Sequence, residues 1–110
     1  MGHTIAIAGT ESIAPEQTCN HDGVEWPCGA SARTAVRLWL RGRALACDVP
    51  PDPDRELVVI GCRLGKQDVG AWLVANGWAH ASKGGPYEEA EVKAREAGLG
   101  IFGAPPPTVN

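Results

Sequence analysis

The chain has 110 residues, 44% of them hydrophobic, and a formal net charge of −3 at pH 7. This length supports one small domain with one core, and the acidic balance excludes a global attraction to phosphate backbones, so nucleic-acid binding would need a local basic patch. No apolar run approaches the roughly 20 residues that span a bilayer, so we expect no membrane partner.

The first half of the chain predicts a strand, a loop and a helix. Residues 4–8 (TIAIA) alternate isoleucine with small residues, which predicts a short strand. The polar, turn-rich segment 19–27 predicts a loop in which Trp26 covers the core from outside. The following GASARTAVRLWLRGR has apolar residues at helical spacing and ends near Gly42, a suitable C-terminal cap, so it predicts an amphipathic helix.

A row of arginines runs along the polar side of this helix. Arg33, Arg37 and Arg41 are each separated by four residues and therefore share a face. Such a row suits phosphate groups, and the alternative is a face that only contacts solvent. These three arginines are the candidate nucleic-acid contacts of the chain.

The second half predicts a hairpin and two helices. Residues 43–49 (RALACDV) and 57–62 (LVVIGC) predict strands, separated by a loop whose prolines cannot continue a ladder. The stretch QDVGAWLVANG predicts a helix that ends at Asn76-Gly77, followed by a short extended piece at 78–81. PYEEAEVKAREAG predicts a third helix, with acids early and bases late. Its expected core stripe consists of Tyr87, Ala90, Ala94 and Ala97.

Four cysteines bear on the compartment. They are Cys19, Cys28, Cys47 and Cys62, and no two of them are spaced as a CxxC pair. This spacing disfavours a zinc site, so we expect no metal site among them. Two disulfides suit a small periplasmic or secreted domain, whereas the alternative is four reduced thiols packed as small apolar side chains. Three connectivities are open. Pairing Cys19 with Cys28 would close a local loop, and pairing Cys47 with Cys62 would tie neighbouring strands.

The order of elements predicts the α+β class, with helices covering a small antiparallel sheet. We expect one domain over residues 1–103 and a flexible proline-rich tail over 104–110. Three stretches, CGASA, DVGAWLVANGWAHA and YEEAEVKAREAGLGIF, resemble in this order the staphylococcal nuclease-like (thermonuclease) domain family. The resemblance covers residues 9–102 and implies an OB-type small antiparallel barrel, or partial barrel, with three helices.

The resemblance also implies a catalytic position. Enzymes of this family cleave DNA and RNA phosphodiesters with Ca²⁺, a glutamate as base and two arginines on the phosphate. Ile13-Ala14-Pro15-Glu16 is similar to the end of the family's Gly-Ile-Asp-x-Pro-Glu segment, which puts Glu16 at the position of the base. The same match puts Ile13, which has no side-chain oxygen, where a calcium aspartate belongs. Glu11 would stand in only with a two-residue insertion after Gly9.

The family's other catalytic residues lack counterparts here. A second calcium aspartate belongs to a strand that would precede this chain, and Ala6 or Ala8 stands at the first arginine position. Leu57 stands at the second arginine position, with Arg55 two residues away on the same face of a strand but displaced by about 6 to 7 Å. Since a misplacement of about 1 Å can cost on the order of 100-fold in rate, Arg55 is a weak substitute.

We therefore expect a nuclease-like domain that has lost phosphodiesterase activity and serves as a binding or interaction module, with a protein or a weak nucleic-acid partner and no cofactor. The alternative is a calcium-dependent nuclease that uses Glu16 as base, with Arg55 or a helix arginine on the phosphate. A third interpretation is that the chain is a fragment of a longer active protein. We also expect a homodimer, because a five-stranded barrel reduced to about three strands exposes an apolar face and open edges.

Overall fold

The structure is a computed structural model that describes residues 4–48 and 57–105. The described helices are α1 (Cys28–Leu40), α2 (Val69–Ala75) and α3 (Glu88–Ala97), followed by a short 3₁₀ helix at Gly100–Phe102. The described strands are β1 (Thr4–Ile7), β2 (Thr10–Glu11), β3 (Cys19–His21), β4 (Val24–Trp26), β5 (Ala46–Cys47), β6 (Leu57–Ile60), β7 (Cys62–Leu64), β8 (Gln67–Asp68) and β9 (His80–Ala81). The predicted α+β class and the three predicted helices are confirmed.

Local signals account for the helix boundaries. α2 begins after Asp68, whose Oδ2 accepts a hydrogen bond from the Ala71 N–H at 3.1 Å and so satisfies a free donor of the first turn. α3 ends at Gly98, which has φ of +65°, a left-handed conformation that favours glycine. α1 ends at Leu40, two residues before the predicted cap Gly42.

The strands form several small sheets. β1 pairs with β6 in parallel, from Thr4 opposite Leu57 to Ile7 opposite Ile60. β5 pairs antiparallel with β7, β7 with β8, and β2 with β9. A parallel pair needs a long crossover connection, and α1 lies within the connection between β1 and β6. The described strands do not close into a barrel, so the OB-type architecture stays a prediction.

The predicted hairpin of residues 43–49 and 57–62 forms only in part. Cys47 lies opposite Cys62, in the antiparallel pair of β5 with β7. β6, however, pairs in parallel with β1, so the expectation of a wholly antiparallel sheet is wrong. The continuous apolar run LVVI gives no alternation that would select one partner strand over another.

The prediction of a loop at residues 19–27 is wrong, because β3 and β4 form an antiparallel hairpin there. Asp22 and Gly23 form its two-residue turn, with φ of 51° and 83°. An Asp-Gly pair with positive φ at both residues is the turn that matches the twist of a tight hairpin. Trp26 is only 4% exposed, so it is buried and does not cover the core from outside.

The main core lies between the sheets and helices α1 and α2. Ile60, Cys62, Val69, Leu73 and Ala79 form a buried cluster. Partly buried tryptophans pack against this cluster. Two of them, Trp39 on α1 and Trp72 on α2, have stacked rings whose centroids are 3.9 Å apart. Aromatic stacking of this kind joins the two helices in addition to the area that it buries.

Helix α3 buries less than predicted. Of its expected core stripe only Ala94 is buried, whereas Tyr87 and Ala90 are half-buried and Ala97 is exposed. The residues of the predicted tail from 106 onward, and the loop that contains Arg55, lie outside the described residues. No helix in the described ranges has the length and apolar character needed to cross a membrane.

Candidate functional site

The loop that follows β2 is fixed against the start of α1. Its turn is closed by the Gln17 N–H, which donates to the Ala14 carbonyl at 3.0 Å, and the Gly29 N–H of α1 donates to the Gln17 carbonyl at 3.0 Å. A Cβ added at Gly29 would lie 2.9 Å from the Pro15 carbonyl oxygen and closer still to that of Ala14. Only glycine therefore lets this loop approach the helix so closely.

Two disulfides are formed, Cys19–Cys28 and Cys47–Cys62. The prediction of disulfides is confirmed. Of the three possible connectivities, the structure has the one that pairs the first cysteine with the second and the third with the fourth. Cys19–Cys28 joins β3 to the first residue of α1 and so holds the same loop from its far end. Cys47–Cys62 ties β5 to β7, where the two residues lie directly opposite each other.

An open cleft of about 360 Å³ lies between this loop and α1. Ile13 and Pro15 line it from the loop, and Val36 lines it from the helix. Leu73 and Trp78 line it from the part of the chain around α2. Its size is at the lower end of ordinary small-molecule sites, and most of its lining is apolar.

The polar groups of the cleft are few. Among the lining residues only Thr10, Ser12 and Arg33 have polar side chains other than the Trp78 indole. Thr10 Oγ1 donates to the Ile7 carbonyl at 2.8 Å, so its proton is already used within the protein. Ser12 and Arg33 are exposed, so their side-chain donors are accessible from solvent.

Glu16, the predicted base, is not among the residues that line the cleft. Its side chain is exposed, and the loop contributes Ile13 and Pro15 to the cleft rather than Glu16. None of the ion pairs among the described residues involves Glu16. Glu11, the other carboxylate considered for this site, is exposed on β2 opposite His80 of β9.

The predicted arginine row lies on α1 only in part, because Arg33 and Arg37 are on the helix whereas Arg41 follows its last residue, Leu40. Arg33, Arg37 and Arg41 are all exposed, and only Arg33 lines the cleft. Among the described residues none of the three forms an ion pair. Residues 28–47 carry four arginines and no acidic residue, so this part of an acidic chain is locally basic. Arg55 lies outside the described residues.

A second polar cluster joins β9 to α3, and the sequence reasoning missed it. Glu91 Oε1 accepts from the Ala81 N–H at 3.0 Å and lies 3.1 Å from His80 Nδ1, while Glu91 Oε2 lies 3.6 Å from Arg95 Nη2. The Arg95 guanidinium lies over the Phe102 ring, 4.5 Å from its centroid. Burial by itself would raise the pKa of Glu91. The hydrogen bonds from Ala81 and His80 and the positive charge of Arg95 outweigh this effect, so the pKa of Glu91 is lowered.

Tyr87 forms a further contact that the sequence reasoning missed. Its hydroxyl donates to Asp68 Oδ2, the atom that also caps α2. Its ring lies against Gly9 and Gly70, where an added Cβ would approach ring atoms to 2.6 and 2.7 Å. Burial, together with the bond to Asp68 and its negative charge, raises the pKa of Tyr87 to about 12. The two glycines were the only sequence signal of this close approach.

No protein-family model matches this chain, and no curated protein matches it either. The resemblance to staphylococcal nuclease-like domains therefore depends on the motifs quoted above.

Proposed function

We propose that this chain is a staphylococcal nuclease-like domain that binds a partner and does not hydrolyse phosphodiesters. One observation carries the proposal. The loop around Ile13-Ala14-Pro15-Glu16 is held rigidly on α1, yet its apolar residues Ile13 and Pro15 line the cleft while Glu16 is exposed outside it. A preorganised loop that presents apolar side chains suits binding, whereas phosphoryl transfer needs charges preorganised around the phosphate.

The arginine row supports an acidic partner. Arg33 and Arg37 are exposed on α1, Arg41 is exposed directly after it, and residues 28–47 contain no acidic residue. We favour an acidic segment of a protein over a nucleic acid, because the chain as a whole is negatively charged and its stacked tryptophans pack against the core. A nucleic-acid binder usually combines a basic groove with exposed aromatic rings on which bases stack.

A plasmid-degradation assay separates the proposal from the calcium-dependent nuclease. The protein, Glu16→Gln and the control Glu25→Gln are each compared in Ca²⁺ and in chelator; Glu25 is an exposed carboxylate on the β3–β4 hairpin. We expect no calcium-dependent cleavage in any of them. Cleavage that needs Ca²⁺, disappears in Glu16→Gln and persists in Glu25→Gln would establish Glu16 as the base and overturn the proposal.

Fluorescence anisotropy distinguishes the two partner classes. A labelled acidic peptide and a labelled single-stranded oligonucleotide of equal charge are titrated at two salt concentrations. We expect the peptide to bind more tightly than the oligonucleotide. Changing Arg33, Arg37 and Arg41 together to alanine should weaken peptide binding, whereas Arg63→Ala, which removes an exposed arginine on β7, should leave it unchanged. Tighter binding of the oligonucleotide, with a steep salt dependence, would favour the nucleic-acid partner instead.

We also propose that the chain forms a homodimer. Within the described residues β1 and β6 have only each other as strand neighbours, so each leaves one edge free. Isolated two-stranded sheets are marginally stable, and a free edge readily pairs with another strand. Light scattering after gel filtration should give twice the chain mass of 11.5 kDa, and a stable monomer at high concentration would contradict the proposal.

An oxidising compartment fits the two disulfides, and we propose that the protein acts in a periplasm or outside the cell. Alkylation of the protein as it is isolated from its native host, followed by mass spectrometry, would detect free thiols if the compartment were reducing.

A further inference from the structure

The cleft between the loop and α1 is prepared for a ligand before any ligand arrives. The disulfide Cys19–Cys28 and the bond from the Gly29 N–H to the Gln17 carbonyl hold one wall against the helix that forms the other. Because little chain must be ordered on binding, the entropic cost that weakens binding to flexible sites is small here.

The chemistry of the cleft is divided between its interior and its opening. Ile13, Val36 and Leu73 provide apolar walls, which favour an apolar group by the area that they remove from water. Arg33 and Ser12 provide the donors, and both are exposed. The site therefore combines an apolar interior with one cation.

The charged group limits the class of ligand. A guanidinium presents paired N–H donors that match the two oxygens of a carboxylate, and such charge-assisted bonds are stronger than neutral ones. Arg33 forms no ion pair among the described residues. A volume of about 360 Å³ admits one medium aliphatic chain or one aromatic ring system and excludes a large cofactor.

We propose that this cleft binds an amphipathic carboxylate, with its apolar body between Ile13 and Val36 and its carboxylate on Arg33. This assignment rests on the binding function proposed above and specifies the ligand group that the site recognises. The same chemistry has two sources, a free carboxylic acid or the C-terminal residue of a peptide that has an apolar side chain.

Nuclear magnetic resonance of the full ¹⁵N-labelled chain tests the assignment. The probes are decanoate, the neutral decanol, and a short peptide ending in phenylalanine as its free acid and as its amide. We expect an acid probe to shift the Ala32 and Arg33 amides and the Trp78 indole N–H, and its neutral counterpart to bind at least about 10-fold more weakly. Whether decanoate or the peptide acid binds more tightly identifies the source.

Three variants locate the contacts. Arg33→Gln should weaken the acid probe by about 10-fold and leave its neutral counterpart unchanged, whereas Arg63→Gln, the same change at an exposed arginine on β7 outside the cleft, should alter neither. Val36→Trp should fill the cleft and remove binding of both. Circular dichroism checks that each variant is folded, so that Arg33→Gln remains a test even if Val36→Trp does not fold.

Equal effects of Arg33→Gln and Arg63→Gln would show non-specific attraction between the acid and positive charge on the protein, and would overturn the assignment. If no acid probe binds, the assignment is wrong. In that case binding of the acidic peptide through the arginine row would still support the proposed function, and absence of both would overturn the two proposals together.

Discussion

Replacing Gly29 by alanine tests whether the close approach of the loop to α1 holds the cleft together. The added Cβ would lie within 3.0 Å of the carbonyl oxygens of both Ala14 and Pro15, a distance that real Cβ atoms essentially never show. An ordinary contact begins near 3.4 Å, and the atoms in the way are backbone rather than the end of a flexible side chain. The loop must therefore move away from the helix or the helix must shift.

The cost follows from the groups involved. Overpacking of this kind costs about 1 to 3 kcal/mol. Movement of the loop also breaks the hydrogen bond from the Gly29 N–H to the Gln17 carbonyl, which contributes about 1 kcal/mol to the free energy of unfolding. The better helix propensity of alanine returns at most about 1 kcal/mol. We expect a net loss of about 2 kcal/mol in the free energy of unfolding, and a melting temperature lower by about 8 °C or more.

Urea and thermal unfolding measure this loss, with Gly61→Ala as the matched control. Gly61 lies between β6 and β7, and an added Cβ there meets no atom of the described residues within 4 Å. We expect the control to change the stability by less than about 0.5 kcal/mol. If Gly29→Ala melts within about 2 °C of the unchanged protein, the loop is not held as tightly as its geometry indicates, and the preformed cleft is refuted with it.

Three further predictions concern the polar contacts and one disulfide. Tyr87 is the only tyrosine in the chain, so phenolate absorbance follows it alone; it should titrate near pH 12 in the folded protein and near 10 in urea. Because the folded pKa is raised, its contribution to stability is present below pH 10 and lost as the pH rises to 12, and a folded value near 10 would contradict the bond to Asp68. Since the pKa of Glu91 is lowered, the contribution of Glu91 to stability is present above the ordinary pKa of 4.5 and is lost as the pH falls below that value. Glu91→Gln should lower the free energy of unfolding by about 1 to 2 kcal/mol at pH 7 and flatten this acid dependence in urea unfolding. The Cys47–Cys62 bridge joins residues 15 positions apart, and replacing both cysteines by alanine should lower the free energy of unfolding in urea by about 3 kcal/mol. A loss below about 1 kcal/mol would show that the bridge does not stabilise the fold as expected.

The sequence predicted the site only in part. It identified the loop that ends at Glu16, its cysteines and the arginine row, because each of these is a pattern along one segment. It did not predict that Ile13 and Pro15 would line a cleft while Glu16 lies outside, since this depends on how the loop docks on Gly29.

Contacts between distant segments were the least predictable. His80 and Glu91 are 11 residues apart on different elements, and neither lies in a motif that indicates the other. The pairing of β1 with β6 likewise joins residues separated by more than 50 positions, and two short apolar runs carry no information about which strand each will meet.

The sequence by itself determined the three helices and most of their ends, because helix hydrogen bonds, caps such as Asp68 and stops such as Gly98 act within about four residues. The four cysteines of so small a domain also indicated two disulfides, but left their pairing open. The Asp22-Gly23 pair was a further local signal, and it indicates the hairpin at residues 19–27 that the prediction of a loop overlooked. Only the tertiary structure decided that β6 runs parallel to β1 and that the loop on α1 borders an apolar cleft beside Arg33. These features depend on which surfaces can be buried together, and that is set by the packing of the whole chain rather than by any one segment.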